Sequence, residues 1–161
     1  MNSQMNFGTT DSTVMKLQTI YDYANFYTSA LKKVPGRSWN FKLIYLDAFA
    51  GAGRFELSGS ETLPTFNLPM IEGVEDFTNV VEGSALRALK VNNPFDQYIF
   101  SDAKRSNVHE LKGLKEEVPH LSDRIQITHE DANEVVKRFC TNMGNLDRAI
   151  IFLVSVSKLI E

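Results

Sequence analysis

The chain has 161 residues, a net charge of −3 and one cysteine, and its apolar (43%) and charged (23%) fractions are those of an ordinary globular domain. The single Cys140 excludes an internal disulfide and a multi-cysteine metal or iron–sulfur site within the chain. Lysines and arginines are scattered, with Lys32-Lys33 and Lys104-Arg105 the densest groups, so charge does not indicate direct nucleic-acid binding.

No apolar run approaches the roughly 20 residues that span a bilayer. The amino terminus, M-N-S-Q-M-N-F-G-T-T-D, lacks the basic and apolar regions of a signal peptide. A single domain over 1–161, with no membrane segment and a cytoplasmic location, is expected. The first predicted element is an N-terminal helix over 12–34. Val14, Leu17, Ile20, Tyr21, Ala24, Tyr27 and Leu31 recur at three- and four-residue steps, Asp11 or Ser12 is available as N-cap, and Val34-Pro35-Gly36 stops it. Its aromatic residues Tyr21, Tyr23, Phe26 and Tyr27 are expected to pack on the core rather than to form a ligand surface.

The chain is organised around Lys42 to Arg54, K-L-I-Y-L-D-A-F-A-G-A-G-R. The apolar run Leu43–Leu46 suits a strand buried on both faces. It ends in Asp47 and passes Phe49 into a Gly-x-Gly turn, Gly51 and Gly53, where the backbone can approach a ligand closely. Residues 56–82 follow as a long polar, proline-containing excursion, either a functional loop or a solvated one. Gly83-Ser84 then opens a compact helix, with Ser84 placed to cap it. A second strand, Gln97–Ser101, ends in Asp102. A helix over Ser106–Val118 leads to a third strand, Arg124–Thr128, and to His129-Glu130-Asp131-Ala132. Another helix covers Asn133–Met143, and Arg148–Val154 is the most continuously apolar strand. Cys140, at helical spacing in V-V-K-R-F-C, is expected as buried filler.

Helices alternating with strands predict a parallel sheet with right-handed crossovers, in which all strand carboxyl ends share one edge. Asp47, Asp102 and Asp131 then converge on one crevice. The acid after the second strand can accept both ribose hydroxyl protons, the one after the third can bond an adenine amino group, and the glycine turn admits the remainder. The same carboxylates could instead hold a divalent metal, although strand ends cluster less tightly than metal ligands usually do. His129 and Glu130 are adjacent on extended chain and so point to opposite faces, which favours an incidental histidine over an acid/base pair. A nicotinamide dehydrogenase fits less well, because no third glycine follows Gly53 and the next strand-end acid comes far later than the usual spacing of about 20 residues.

The motifs L-D-A-F-A-G-A-G, G-S-A-L, Y-I-F-S-D, H-E-D-A-N and R-A-I-I-F-L, in this order from about Leu17 to Leu153, resemble the three-Cys-motif partner protein family of bacteria. That resemblance implies a Rossmann-like class I methyltransferase fold, a parallel sheet with flanking helices, and S-adenosyl-L-methionine as cofactor. It puts Asp47, Phe49, Gly51 and Gly53 on the motif holding the methionine part, Asp102 on the ribose, and Asp131 with Ala132 on the adenine. It also implies a partner protein bearing three cysteines of the radical S-adenosylmethionine type. The family's fourth strand reads like I-x-F-L-D-P-x-G, whereas here Val154-Ser155-Val156-Ser157 follows Leu153. The expectation is therefore an incomplete domain with its C-terminal strands missing, a sheet ordered 3-2-1-4 with 148–154 as an exposed edge, and no catalysis by this chain alone. The alternative is a non-catalytic interaction scaffold.

Overall fold

Leu43, Ile44, Tyr45 and Leu46 have no accessible surface to speak of, and burying each contributes roughly 2 kcal/mol, which makes their strand the centre of the fold. The computed structural model describes residues 9–32, 41–56, 80–145 and 147–153. Along these lie α1 (Thr9–Lys32), β1 (Lys42–Asp47), β2 (Arg54–Glu56), β3 (Val80–Glu82), α2 (Ser84–Leu89) and β4 (Gln97–Ser101). There follow α3 (Arg105–Glu117), a 3-10 helix over Pro119–Arg124, β5 (Ile125–Thr128), α4 (Ala132–Asn142) and β6 (Asp147–Phe152).

The four long strands form one sheet in the order β5-β4-β1-β6, with every pairing parallel. This is the predicted 3-2-1-4 order, consistent with a Rossmann-like arrangement. Alternate residues of β1 face opposite layers. Leu43 and Tyr45 join Ala24 of α1, Ala85 and Leu89 of α2, and Leu111 and Leu114 of α3. Ile44 and Leu46 join Ala132, Val135 and Phe139 of α4. The chain moves outward from β1 to β5 over one face and returns to β6 over the other, so the crossovers share one hand, as the right-handed rule requires. Among the described residues β6 takes the edge position, and Leu153 just beyond it is 53% exposed.

Several expectations are corrected. Asp11 and Ser12 lie inside α1, which begins at Thr9, and so neither is its N-cap. Tyr21 and Tyr27 pack on the core, but Tyr23 (55%) and Phe26 (71%) face solvent. They lie on the side of the helix away from Leu17, Ala24 and Thr28. Cys140 is exposed, because α4 turns Val135 and Phe139 to the sheet and the next residue is rotated off that face. β2 and β3 pair antiparallel at the two ends of the 56–82 excursion. Residues 57–79, and with them Glu61, Glu72, Glu75 and Asp76, lie outside the described residues, as do Val34-Pro35-Gly36 and the chain from Val154.

An aromatic cluster fills the layer beneath α1–α3. Tyr45 meets Phe95 edge-on at 5.4 Å, Phe95 meets Tyr98 at 5.6 Å, and Phe95 N donates to the Tyr98 hydroxyl at 3.0 Å. The Tyr45 hydroxyl is buried with no hydrogen-bond partner among the described residues. Removing an unpaired buried hydroxyl relieves its desolvation cost. Tyr45→Phe is thus expected to stabilise the fold by about 1 kcal/mol, raising the urea midpoint at unchanged slope. A loss of stability would show that this hydroxyl is hydrogen-bonded after all.

Candidate functional site

The parallel sheet brings the ends of β1, β4 and β5 side by side, and the predicted site residues gather there. After Asp47 the chain turns through Ala48–Gly53. Gly51 (φ +61°) and Gly53 (φ +79°) adopt the left-handed conformation that makes glycine the favoured residue. The two differ in surroundings. A Cβ on Gly51 would meet nothing within 4 Å, so space is open above it, whereas one on Gly53 would stand 2.1 Å from Leu114 Cδ1. Gly83 packs on the same turn, and its N–H donates to Gly53 O at 2.8 Å.

The turn is fastened by side chains from the strand ends. Asp47 is completely buried; its Oδ2 accepts from Ser84 Oγ at 2.5 Å and its Oδ1 from Phe49 N at 3.1 Å. Ser84 therefore does not cap α2. Gly83 takes the N-cap position without a side-chain bond, and the Ser84 hydroxyl ties the helix start to β1. Burial pushes the Asp47 carboxyl up to about 7, the Ser84 and Phe49 donors pull the other way, and the Asp102 charge adds to the rise. Burial and the Asp47 charge also hold the Tyr45 phenol well above its usual range.

Asp102 faces the turn from β4. Its Oδ2 accepts from Gly51 N at 3.0 Å, and its Oδ1 from Lys104 N at 2.8 Å and Asn107 Nδ2 at 3.1 Å. A carboxylate offers about four lone-pair sites, so roughly one remains free. Ala50 N donates to Ser101 O at 3.0 Å, completing the seam between turn and β4. Asp131 caps α4 through Oδ1, which accepts from Asn133 N at 2.8 Å; its side chain is exposed, while Ala132 is buried against β1 and β4. The 129–131 segment is held to the end of β4 by Ser101 Oγ donating to Glu130 O (3.2 Å) and by His129 Nε2 beside Ala103 O (2.9 Å). That contact requires the proton on Nε2. Glu130 is engaged by Arg138, so His129 and Glu130 do not form an acid/base pair.

The crevice edge thus joins Asp47, Phe49, Gly51, Gly53 and Asp102 directly, and Asp131 and Ala132 through the neighbouring strand end. Phe49 is 37% exposed at its lip. Thr128 Oγ1, at the end of β5, is buried without a hydrogen-bond partner among the described residues. Ser84 and Asn107, which bond to Asp47 and Asp102, were not legible as site residues. A cleft of about 320 Å³, lined by Lys42, Asp96, Gln97, Asp123, Arg124 and Gln126, lies at the amino edge of the sheet, away from these acids. Among the described residues no three His, Cys, Asp or Glu side chains are grouped to hold a metal ion, and no helix is long and apolar enough to cross a membrane. No protein-family model, curated protein or solved structure matches the chain.

Proposed function

We propose that the carboxyl edge of the sheet binds an adenine nucleoside, and, by the resemblance to the three-Cys-motif partner family, S-adenosyl-L-methionine in a methyltransferase-like site. One observation supports the reading: β5, β4 and β1 are neighbours in that order, so Asp131, Asp102 and the glycine turn follow one another along one edge, in the order in which the adenine, ribose and 5′ substituent of such a ligand would need them. The open space above Gly51 fits such a ligand. Asp102 would accept ribose hydroxyls, Asp131 the adenine amino group, and Phe49 would cover the apolar part of the 5′ chain. The bound cofactor would supply an electrophilic methyl group. No side chain at the edge is assigned as a base, and methyl transfer is not attributed to this chain alone. The setting is cytoplasmic.

Calorimetric titration with S-adenosyl-L-methionine, with NADH as control, tests the reading. Saturable binding of the methyl donor alone is expected. Asp102→Ala should weaken it by about 1–3 kcal/mol, the usual loss of a charged hydrogen-bond partner. Unchanged affinity in that variant would remove Asp102 from the site.

A second reading is a non-catalytic scaffold that pairs with a three-cysteine radical S-adenosylmethionine-type protein. The exposed stripe of Met15, Tyr23 and Phe26 on α1 favours it, since such residues are rarely left together in solvent without a use. No binding of either nucleotide by the folded chain would decide for the scaffold.

A further inference from the structure

Among the described residues Asp47 is the only fully buried acid, and none of their lysines, arginines or histidines forms an ion pair with it. Ser84 Oγ and Phe49 N fill about two of the roughly four lone-pair sites a carboxylate offers. The layer on its side of β1 is apolar, with Ala85 and Leu86 of α2 and Leu111 and Leu114 of α3. β6, paired alongside, sets Phe152 in register with it. Two titratable groups face it: Asp102 at the end of β4, which repels its charge, and the Tyr45 phenol of its own strand, which burial keeps neutral. Ionised Asp47 is thus an uncompensated buried charge, a state relieved by moving the group to water. The turn bonded to it has the means to move. Phe49, Ala50 and Gly51 are each fastened by one backbone amide, to Asp47, Ser101 O and Asp102. Gly51 and Gly53, both at positive φ, can change backbone region without the Cβ penalty. A Cβ on Gly51 would meet nothing within 4 Å, so there is room for the turn to swing away from the sheet.

We propose that Asp47 is a proton-controlled latch on the glycine turn: protonated, it lets the turn sit closed against β4, and its ionisation swings the turn open. The crevice edge is then ordered in mildly acid solution and loosened toward neutrality, whatever the crevice binds. Burial lifts the closed-state carboxyl from 3.8 to about 7, so the closed turn keeps a proton that the open turn, with its carboxylate in water, has released. The closed state is therefore fully favoured below about pH 4, loses ground as pH rises, and levels off above about pH 7. Asp102, bonded to the same turn through Gly51 N, adds like-charge repulsion once Asp47 ionises.

Amide hydrogen exchange on the full chain, followed by NMR from about pH 5 to about pH 7.5 with and without low urea, tests the latch. After correction for the intrinsic pH dependence of exchange, Phe49, Ala50, Gly51 and Gly83 are expected to lose protection by up to about tenfold per pH unit as pH rises to about 7. That loss should run through an opening insensitive to urea, because little surface is exposed, whereas amides in the middle of β1 and β4 exchange only by urea-sensitive global unfolding. Asp47→Asn cannot ionise and is expected to abolish the pH slope at the turn. Turn protection that does not change with pH would overturn the proposal, since Asp47 would then not govern the turn. Turn amides that share the urea dependence of β1 would also overturn it, because the turn would then be released only with the whole fold. The wild-type chain decides between these outcomes even if the variant does not fold.

Discussion

Gly53→Ala is expected to destabilise the fold by about 2–5 kcal/mol, measured as a fall in the urea midpoint. Two costs combine. The residue sits at φ +79°, where a Cβ strains the backbone by roughly 1–2 kcal/mol. That Cβ would also stand 2.1 Å from Leu114 Cδ1. Leu114 is buried beside Leu111 and Ala85, so its methyl has little room to move, and overpacking of this kind costs about 1–3 kcal/mol. Gly51→Ala separates the two terms. It carries a positive φ but no neighbour within 4 Å, so it should lose only the strain, about 1–2 kcal/mol. Combining Gly53→Ala with Leu114→Ala should cost less than the sum of the single changes by roughly 1–3 kcal/mol, since each change makes room for the other. Strict additivity in that cycle would show that the collision with Leu114 is not the cause.

How much of this was legible in the sequence depended on the reach of each interaction. The sheet strands are short apolar runs because β1 and β4 are buried on both faces, and that pattern survives without knowledge of neighbours. The strand-end acids Asp47, Asp102 and Asp131 follow from the same runs. The order β5-β4-β1-β6 adds only the handedness of the crossovers. What failed was decided by contacts far apart in the chain. Ser84 reads locally as an N-cap, but Asp47, 37 residues earlier, takes its hydroxyl. The Gly51–Asp102 bond spans 51 residues and has no local signature. The β2–β3 pairing joins three-residue segments across the 57–79 stretch, too short to show a period. The exposure of Tyr23 and Phe26 is a different case. The three- and four-residue steps that select Leu17, Ala24 and Leu31 already leave those two on the opposite face, so periodicity rather than aromatic character decides their exposure.

Asp47→Asn should flatten the pH dependence of stability and raise stability near pH 8, and the sign follows from burial. The folded carboxyl titrates at about 7 against an ordinary 3.8, chiefly because burial disfavours its charged form. Between those values the folded state holds a proton that the unfolded state has released. Stability is therefore full below about pH 4, falls as pH rises, and levels off above about pH 7. The displacement of roughly three units sets a ceiling on the order of 4 kcal/mol. Asparagine cannot ionise, yet it can keep both contacts, its carbonyl accepting from Phe49 N and its amide donating to Ser84 Oγ. Urea unfolding at about pH 5 and about pH 8 should show a large loss for the wild type and little for the variant. The Glu117 carboxylate, drawn down by Arg54, works in the opposite direction and in more acid solution, so it does not mask the effect. Parallel curves for the two proteins would mean that Asp47 ionises without penalty and is open to solvent. In that event it could meet a ligand directly. The expected divergence instead makes Asp47 the brace of the glycine turn, and leaves Asp102, bonded to Gly51 N, and Asp131, the exposed cap of α4, as the acids of the proposed nucleoside site.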